Sequence, residues 1–248
     1  MVRAVIFDLD NTLYDYDAIN DTAVRNAGMW LCGQTGISYE AFCRAFDEGR
    51  RRIKESMQDC ASRHNRMLYF QRTSELLGLN PVRYSLELYE AYWGYMLDHM
   101  ALVPDSGEVI KRLHAEGIRT AVCTDLTAHI QHRKLRRLGI ADYVDVLVTS
   151  EEAGVEKPDA AIFDMVLGKL AVAPDEALYV GDSFEKDVIG AGNAGLRPVW
   201  FNPRKKTAEG VENKDIENKD IENKDIKSRD FAEITQMKQL ERYVYGAG

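Results

Sequence analysis

No stretch of this sequence approaches the length and apolarity of a membrane span, and the chain turns acidic by residue 8, too soon for the apolar core of a secretion signal. Positive charge is in deficit. Lys and Arg number 32 against 40 Asp and Glu, a formal net charge of -8, so no general basic field exists to hold nucleic acid or anionic lipid. Any anionic substrate must be drawn in by local cations. Cysteine is also scarce: Cys32, Cys43, Cys60 and Cys123 form no C-x-x-C pair, no ligand-like spacing with histidine and no secreted disulfide pattern. The expectation is a soluble, cytoplasmic protein with reduced thiols and neither nucleic-acid nor membrane partners. Nothing in the sequence bears on its oligomeric state.

The chain does contain enough apolar residues, 45% of 248, for one large domain or for a core domain with a small inserted one. Short β-rich apolar runs recur at Ala4 to Phe7, Ile118 to Cys123, Val144 to Thr149, Leu178 to Val180 and Pro198 to Phe201, with helical segments between them. Near-continuous apolar strands alternating with helices predict an α/β fold, a doubly wound, Rossmann-like parallel sheet covered on both faces. Helix ends are readable. Asp105 with Glu108 forms a capping-box pattern and Gly117 a stop; Asp125 is placed to start the next helix and Gly139 to end it; Pro158 suits a first helical position. Phe231 to Ile234 suits a last edge strand, with Thr235 capping a closing helix to Val244.

Residues 15–98 break the alternation, with long polar-apolar stretches, many aromatics and no convincing strand. A helical insertion after the first strand is expected, dividing the chain into a core of 1–14 and 99–248 and a candidate lid of 15–98 over the ligand end of the sheet. Within the core, Glu212 to Lys227 repeats Glu-Asn-Lys-Asp-Ile three times, with Ile216, Ile221 and Ile226 at neither a helical nor a strand period. A solvated loop over 210–228 is the expectation.

Four expected strand ends carry polar residues suited to chemistry. Asp8 and Asp10, two apart at the end of the first strand, face one side of it. Two carboxylates that close call for a divalent cation or a shared proton, although an acidic turn capped through Asn11 and Thr12 is the plainer reading. Thr124 presents a hydroxyl as a helix begins, where free N–H groups favour an anion. Lys157 precedes Pro158 at another helix start. Gly181-Asp182-Ser183-Phe184-Glu185-Lys186-Asp187 is a glycine turn with acids suited to a hard cation. Alone, each has an ordinary reading as a cap or a solvated surface residue.

Other patterns carry less. Gly190-Ala191-Gly192-Asn193-Ala194-Gly195 fits G-x-G-x-x-G but follows a helix and precedes a strand, the reverse of a dinucleotide site, so it reads as a helix end. His129 and His132 lack a zinc pattern and suit an exposed helix face. Arg50-Arg51-Arg52-Ile53-Lys54 suits either a solvated helix face or a meeting with an anionic substrate. Tyr16, Trp30 and Tyr69 suit either the packing of the insertion or stacking on a base.

Taken together, Asp8-Leu9-Asp10-Asn11-Thr12, Thr124, Lys157-Pro158 and Gly181-Asp182-x-x-x-x-Asp187 resemble the four ordered motifs of the haloacid dehalogenase-like (HAD) hydrolase superfamily, over nearly the whole chain. The helical insertion resembles that superfamily's C1-type cap. Asp125 departs from the pattern, since asparagine is more usual there; it is an extra acid beside the phosphate pocket.

The resemblance implies Asp8 as the nucleophile that forms an aspartyl-phosphate, and Asp10 as the acid and then the base. It implies Thr124, Asp125 and Lys157 around the substrate phosphate. Mg²⁺ is implied on Asp8, the Asp10 backbone carbonyl and Asp182, with Asp187 beside it directly or through water. The implied activity is hydrolysis of a small phosphorylated metabolite: a nucleoside monophosphate, a sugar phosphate or phosphoglycolate. A phosphomutase uses the same intermediate, and a non-catalytic binding protein can share the scaffold. Dehalogenase chemistry in this superfamily proceeds without the metal and without an acid at the position of Asp10.

Overall fold

The computed structural model describes residues 1–57, 60–207 and 231–246. The Glu-Asn-Lys-Asp-Ile repeat and the loop expected over 210–228 lie outside the described residues. Six strands, β1 (Ala4–Phe7), β2 (Arg119–Thr124), β3 (Val146–Thr149), β4 (Ala177–Gly181), β5 (Arg197–Phe201) and β6 (Ala232–Ile234), form one sheet in the order β3-β2-β1-β4-β5-β6. Every neighbouring pair is parallel. The expected doubly wound α/β sheet is therefore present, with the expected edge strand as β6. The chain moves outward from β1 through β2 to β3, then returns to the other side of β1 at β4. That reversal is the switch point outside which open α/β sheets bind ligands.

The strands are apolar on both sides because both faces are covered. Val5 and Phe7 of β1 join Val122, Leu178, Val180, Val199 and Phe201 in one core, while Ala4 and Ile6 join Ala121, Cys123, Val148 and Tyr179 in another. The second core packs against Ile162, Phe163 and Val166.

The segment expected as the insertion holds α1 (Asp17–Thr35), α2 (Tyr39–Ser56), α3 (Arg66–Leu76) and α4 (Pro81–His99). Their starts are written locally. Ser38 accepts from the Ala41 N–H at 3.2 Å, Asn65 from Met67 at 2.9 Å, and Asn80 from Val82 and Arg83 at 3.0 and 3.3 Å, with Pro81 where a missing N–H costs nothing. Buried aromatics fill the space between them: Phe42, Phe46, Phe70, Tyr92 and Trp93. α1 and α2 approach closely because Gly28 leaves room; a Cβ there would lie 2.4 Å from the Phe42 ring. Tyr14 bridges antiparallel to Leu102, so the chain leaves and re-enters the sheet region side by side.

Several expected helix starts are corrected. Asp105 sits before α5 (Ser106–Ala115) with φ of 66°, and its carboxylate makes no capping bond, because that left-handed backbone turns it from the extended conformation an N-cap requires. α6 (Ala128–Arg137) begins at Ala128 rather than at Asp125, with its first N–H accepted by Glu151 at 2.8 Å. After the short α7 (Ser150–Ala153), α8 (Ala160–Leu170) starts beyond Pro158; Asp159 caps it by accepting from Ala161 at 2.9 Å, and the Lys157-Pro158 bond is cis. Thr235 does not cap the closing helix. Gln236 precedes a 3₁₀ turn over Met237–Leu240, followed by a short helix over Glu241–Tyr245. Gly117 and Gly139 end their helices at φ of 73° and 70°, as expected.

Phe163 is fully buried beneath the sheet, edge-on to Tyr179 at 5.2 Å. Phe163→Ala is expected to lower stability by roughly 3–5 kcal/mol, the usual cost of emptying such a site, read by urea unfolding.

Candidate active site

The switch point gathers the acids. Asp8 follows β1, Asp182 follows β4, and Asp187 lies in the helical turn over Phe184–Ile189. One carboxylate oxygen from each of the three lies within 4.8 Å of the others. Gly181 makes the approach possible, since a Cβ there would lie 2.3 Å from the Asp187 carboxyl carbon. Lys157 reaches in from the loop before α8. Its buried Nζ donates to Asp8 Oδ1 at 2.7 Å and to Asp187 Oδ1 at 2.6 Å, 5.7 Å from the centre of the Tyr179 ring. The Thr12 hydroxyl donates to the other Asp8 oxygen at 3.2 Å, and the Ser183 N–H to Asp187 Oδ2 at 2.9 Å.

The electrostatics follow from this crowding. Burial pushes the Asp8 carboxyl up to about 7; Lys157 opposes that push, and Asp187 and Asp10 add to it. Asp182 is pushed up to about 8 by burial and then by Asp187 and Asp8, with Lys206 no nearer than 3.9 Å. Three carboxylates around one ammonium leave negative charge in excess, and their oxygens are the hard donors that a small divalent cation takes. The residues present therefore fit such a cation.

The remaining expected residues border this cluster. Thr124 ends β2, buried, its hydroxyl accepting from Gln131 Nε2 at 3.0 Å and donating to the Asp125 carbonyl at 3.3 Å. The Asp125 carboxylate, instead of capping α6, accepts from the Lys157 N–H at 3.1 Å and from Lys186 Nζ at 2.8 Å. Burial works against its charge, but Lys157 and Lys186 hold its carboxyl below the usual carboxylate range.

A family model described as haloacid dehalogenase-like hydrolase matches residues 2–195. The chain belongs to the haloacid dehalogenase-like hydrolases. A ribulose-1,5-bisphosphate 5-phosphatase of Halopiger xanaduensis is 40% identical over 218 residues, 87% of this chain and 90% of that protein. A glyceraldehyde 3-phosphate phosphatase of Methanopyrus kandleri is 34% identical over 200 residues, 79% and 82% of the two chains. The crystal structure of a HAD phosphatase from Thermococcus onnurineus matches with a TM-score of 0.68 and 25% identity, covering 99% of each chain. This haloacid dehalogenase-like hydrolase is thus of the phosphatase-like kind. Among its described residues no helix is long and apolar enough to cross a membrane.

Sequence reasoning missed a second ion pair in this hydrolase. Lys134, fully buried on α6, holds both oxygens of Asp10 at 2.6 and 2.9 Å, and its ammonium lies 5.5 and 5.1 Å from the rings of Tyr14 and Trp93. The Tyr14 hydroxyl donates to Asp10 as well, and Gln131 Nε2 lies 3.3 Å from it. Burial works against the Asp10 charge, yet Lys134, Tyr14 and Gln131 together hold its carboxyl below the usual range. A signal existed: Gln131 and Lys134 sit between Ile130, Leu135 and Leu138, on the apolar stripe of α6. The basic run around them hid it. His129 and His132 on the opposite side are exposed, as expected.

Removing Lys134 leaves Asp10 without its cation. Lys134→Met is expected to cost roughly 2–4 kcal/mol, somewhat below the figure for breaking a fully buried pair because Asp10 keeps some solvent access; thermal unfolding reads the loss, and unchanged stability would refute it.

Proposed function

We propose that this hydrolase is a Mg²⁺-dependent phosphatase for a small phosphorylated metabolite. Sugar phosphates are the first class to test, because both curated relatives above are named for phosphorylated sugars, followed by nucleoside monophosphates and phosphoglycolate. One observation carries the reading: Asp8 stands at the switch point with one oxygen held by Lys157 and with Asp182 and Asp187 within ion-binding reach.

In this reading an Asp8 oxygen attacks the substrate phosphorus and the ester P–O bond breaks; the leaving alkoxide takes a proton from Asp10, which is ionised in the resting site and gains that proton as the anionic substrate binds beside it. Water then attacks the aspartyl-phosphate and loses its proton to Asp10, releasing phosphate and restoring the Asp8 carboxylate. Lys157 and Thr12 fix the plane of that carboxylate. An ammonium has three donors; Asp8 and Asp187 engage two, and in this reading the third goes to a phosphoryl oxygen, to which Thr124 also donates. Asp125 acts here by seating Lys157 and Lys186 around the phosphate. Asp8, Asp182 and the Asp10 carbonyl, with Asp187 adjoining, would hold Mg²⁺, which when bound supplies charge stabilisation to the phosphoryl oxygens. The helices α1 to α4 form the cap over this site. They meet the core where His64 Nε2 lies 3.2 Å from Glu156, the residue before Lys157.

Phosphate release from a metabolite panel tests the reading. Asp8→Asn is expected to abolish release, Asp10→Asn to slow it roughly 10²- to 10⁴-fold, and a chelator to stop it. An Asp8→Asn protein as active as the parent would refute the mechanism; recovery of a phosphorylated isomer instead of free phosphate would indicate a phosphomutase.

A further inference from the structure

Between α2, α3 and the segment following Asp10 lies a cavity of about 340 Å³ whose lining includes Arg50, Lys54, His64 and Arg66. Resting on the phosphatase reading above, we propose that this cavity is a second anion subsite, taking a distal phosphate of the same substrate, so that the substrate is a small metabolite phosphorylated at two positions.

Arg66 is the strongest argument. Its guanidinium is caged by the rings of Tyr16, Tyr69 and Tyr92 at 5.7, 5.4 and 5.7 Å. One nitrogen donates to the His64 carbonyl at 2.7 Å and another to the Tyr16 hydroxyl. Among the described residues no carboxylate forms an ion pair with Arg66 or with Lys54. The tyrosines stabilise this half-buried charge but supply no counter-ion, and the edge of a guanidinium's planar fork matches a phosphate. An anion arriving in the cavity would supply that counter-ion.

The surrounding charges point the same way. Lys54 is partly buried, and after burial the causes that lower its basicity are four cations: Arg50, Arg66, Arg63 and Lys186. Positive charge is thus concentrated in a protein whose net charge is -8. Asp17, the acid on the cavity wall, is engaged by Arg204 at 3.1 Å, and Arg50 is only loosely paired, 3.5 Å from Asp47. The basic run on α2 is therefore divided. Arg51 and Arg52 are held outside by Glu48 and Glu55, whereas Arg50 and Lys54, one turn apart, line the cavity.

The cavity borders segments that adjoin the site. Tyr16 and Asp17 belong to the segment that leaves Asp10, and the Asp17 N–H donates to Asn11 Oδ1 at 3.1 Å. On the other side His64 contacts Glu156, which Lys186 also approaches at 3.6 Å. The volume falls within the roughly 300–1,000 Å³ of small-molecule sites, enough for a phosphate and part of a carbon chain.

The test measures phosphate release with Mg²⁺ from a pentose bisphosphate, the matching pentose monophosphate and phosphoglycolate. The parent protein is expected to favour the bisphosphate in kcat/KM by roughly tenfold or more, the factor a charge-assisted hydrogen bond carries. Lys54→Gln and Arg66→Gln are each expected to lower that ratio by a similar factor, mainly through KM. Lys54 lies outside the tyrosine cage, so its variant remains informative if Arg66→Gln fails to fold. Equal efficiency on bisphosphate and monophosphate, a ratio unchanged in Lys54→Gln, or a preference for phosphoglycolate overturns the proposal. If nothing is hydrolysed the phosphatase reading falls, and calorimetric titration with inorganic phosphate still decides the subsite. Binding weakened by Lys54→Gln in an Asp8→Asn background supports it; binding indifferent to Lys54 refutes it.

Discussion

Lys157 sets one buried ammonium between Asp8 and Asp187, and the arrangement of the ligand end of the sheet follows from that placement. One carboxylate follows β1 and the other lies in the helical turn after β4, so the sheet end holds like charges together at low dielectric. A cation between them removes the conflict but loses its own hydration, so the net contribution of such a group to stability is small. What it supplies is geometry. Lys157 is itself held through its N–H by Asp125, which is held by Lys186, so charges alternate in sign from Asp187 through Lys157 and Asp125 to Lys186. Gly181 belongs to the same constraint, because any side chain there would occupy the volume of the Asp187 carboxylate.

Asp10 stands two residues from Asp8 in the chain and lives in a different electrostatic environment. Lys134 and Tyr14 take its oxygens, while Asp8 faces Lys157 and two further acids. Burial acts on both, yet Asp8 is pushed up to about 7 and Asp10 is held below the ordinary range. The separation is imposed by α6 and α4 together: α6 supplies the ammonium, and Trp93 of α4 packs over it. A helix after β1 thus helps set the surroundings of an acid in the core.

The sheet was legible because the strands β1 to β5 are short, largely apolar on both faces and followed by polar residues, a pattern that survives without tertiary information. Helix starts were less legible. Asp105, Asp125 and Pro158 each have the residue type of a helix start, but backbone conformation or an ionic partner decided otherwise, and neither is local in sequence. The acids of the site could be read from their places at strand ends. Lys134 was hidden by the basic run around it, although its place on the apolar stripe of α6 was a signal, and Arg66 opens α3, where only packing shows that its guanidinium turns toward Tyr16 and Tyr92. The run from Arg50 to Lys54 makes the point within five residues, since two of its cations face the cavity and two face carboxylates on the outside.

That division bears on how an acidic protein admits an anion. Charges on the outer face of α2 are paired and contribute little field at a distance. Lys157 and Lys186 are partnered by acids of the core, whereas no ion pair involves Lys54 or Arg66 among the described residues. Low-dielectric walls strengthen what such charges do to a bound ligand while leaving the outer surface acidic. Selectivity for a phosphorylated compound therefore does not require a basic surface. It requires local cations: Lys157 is already held between Asp8 and Asp187, so in the proposed subsite Arg66 and Lys54 are the ones that a second anionic group would meet.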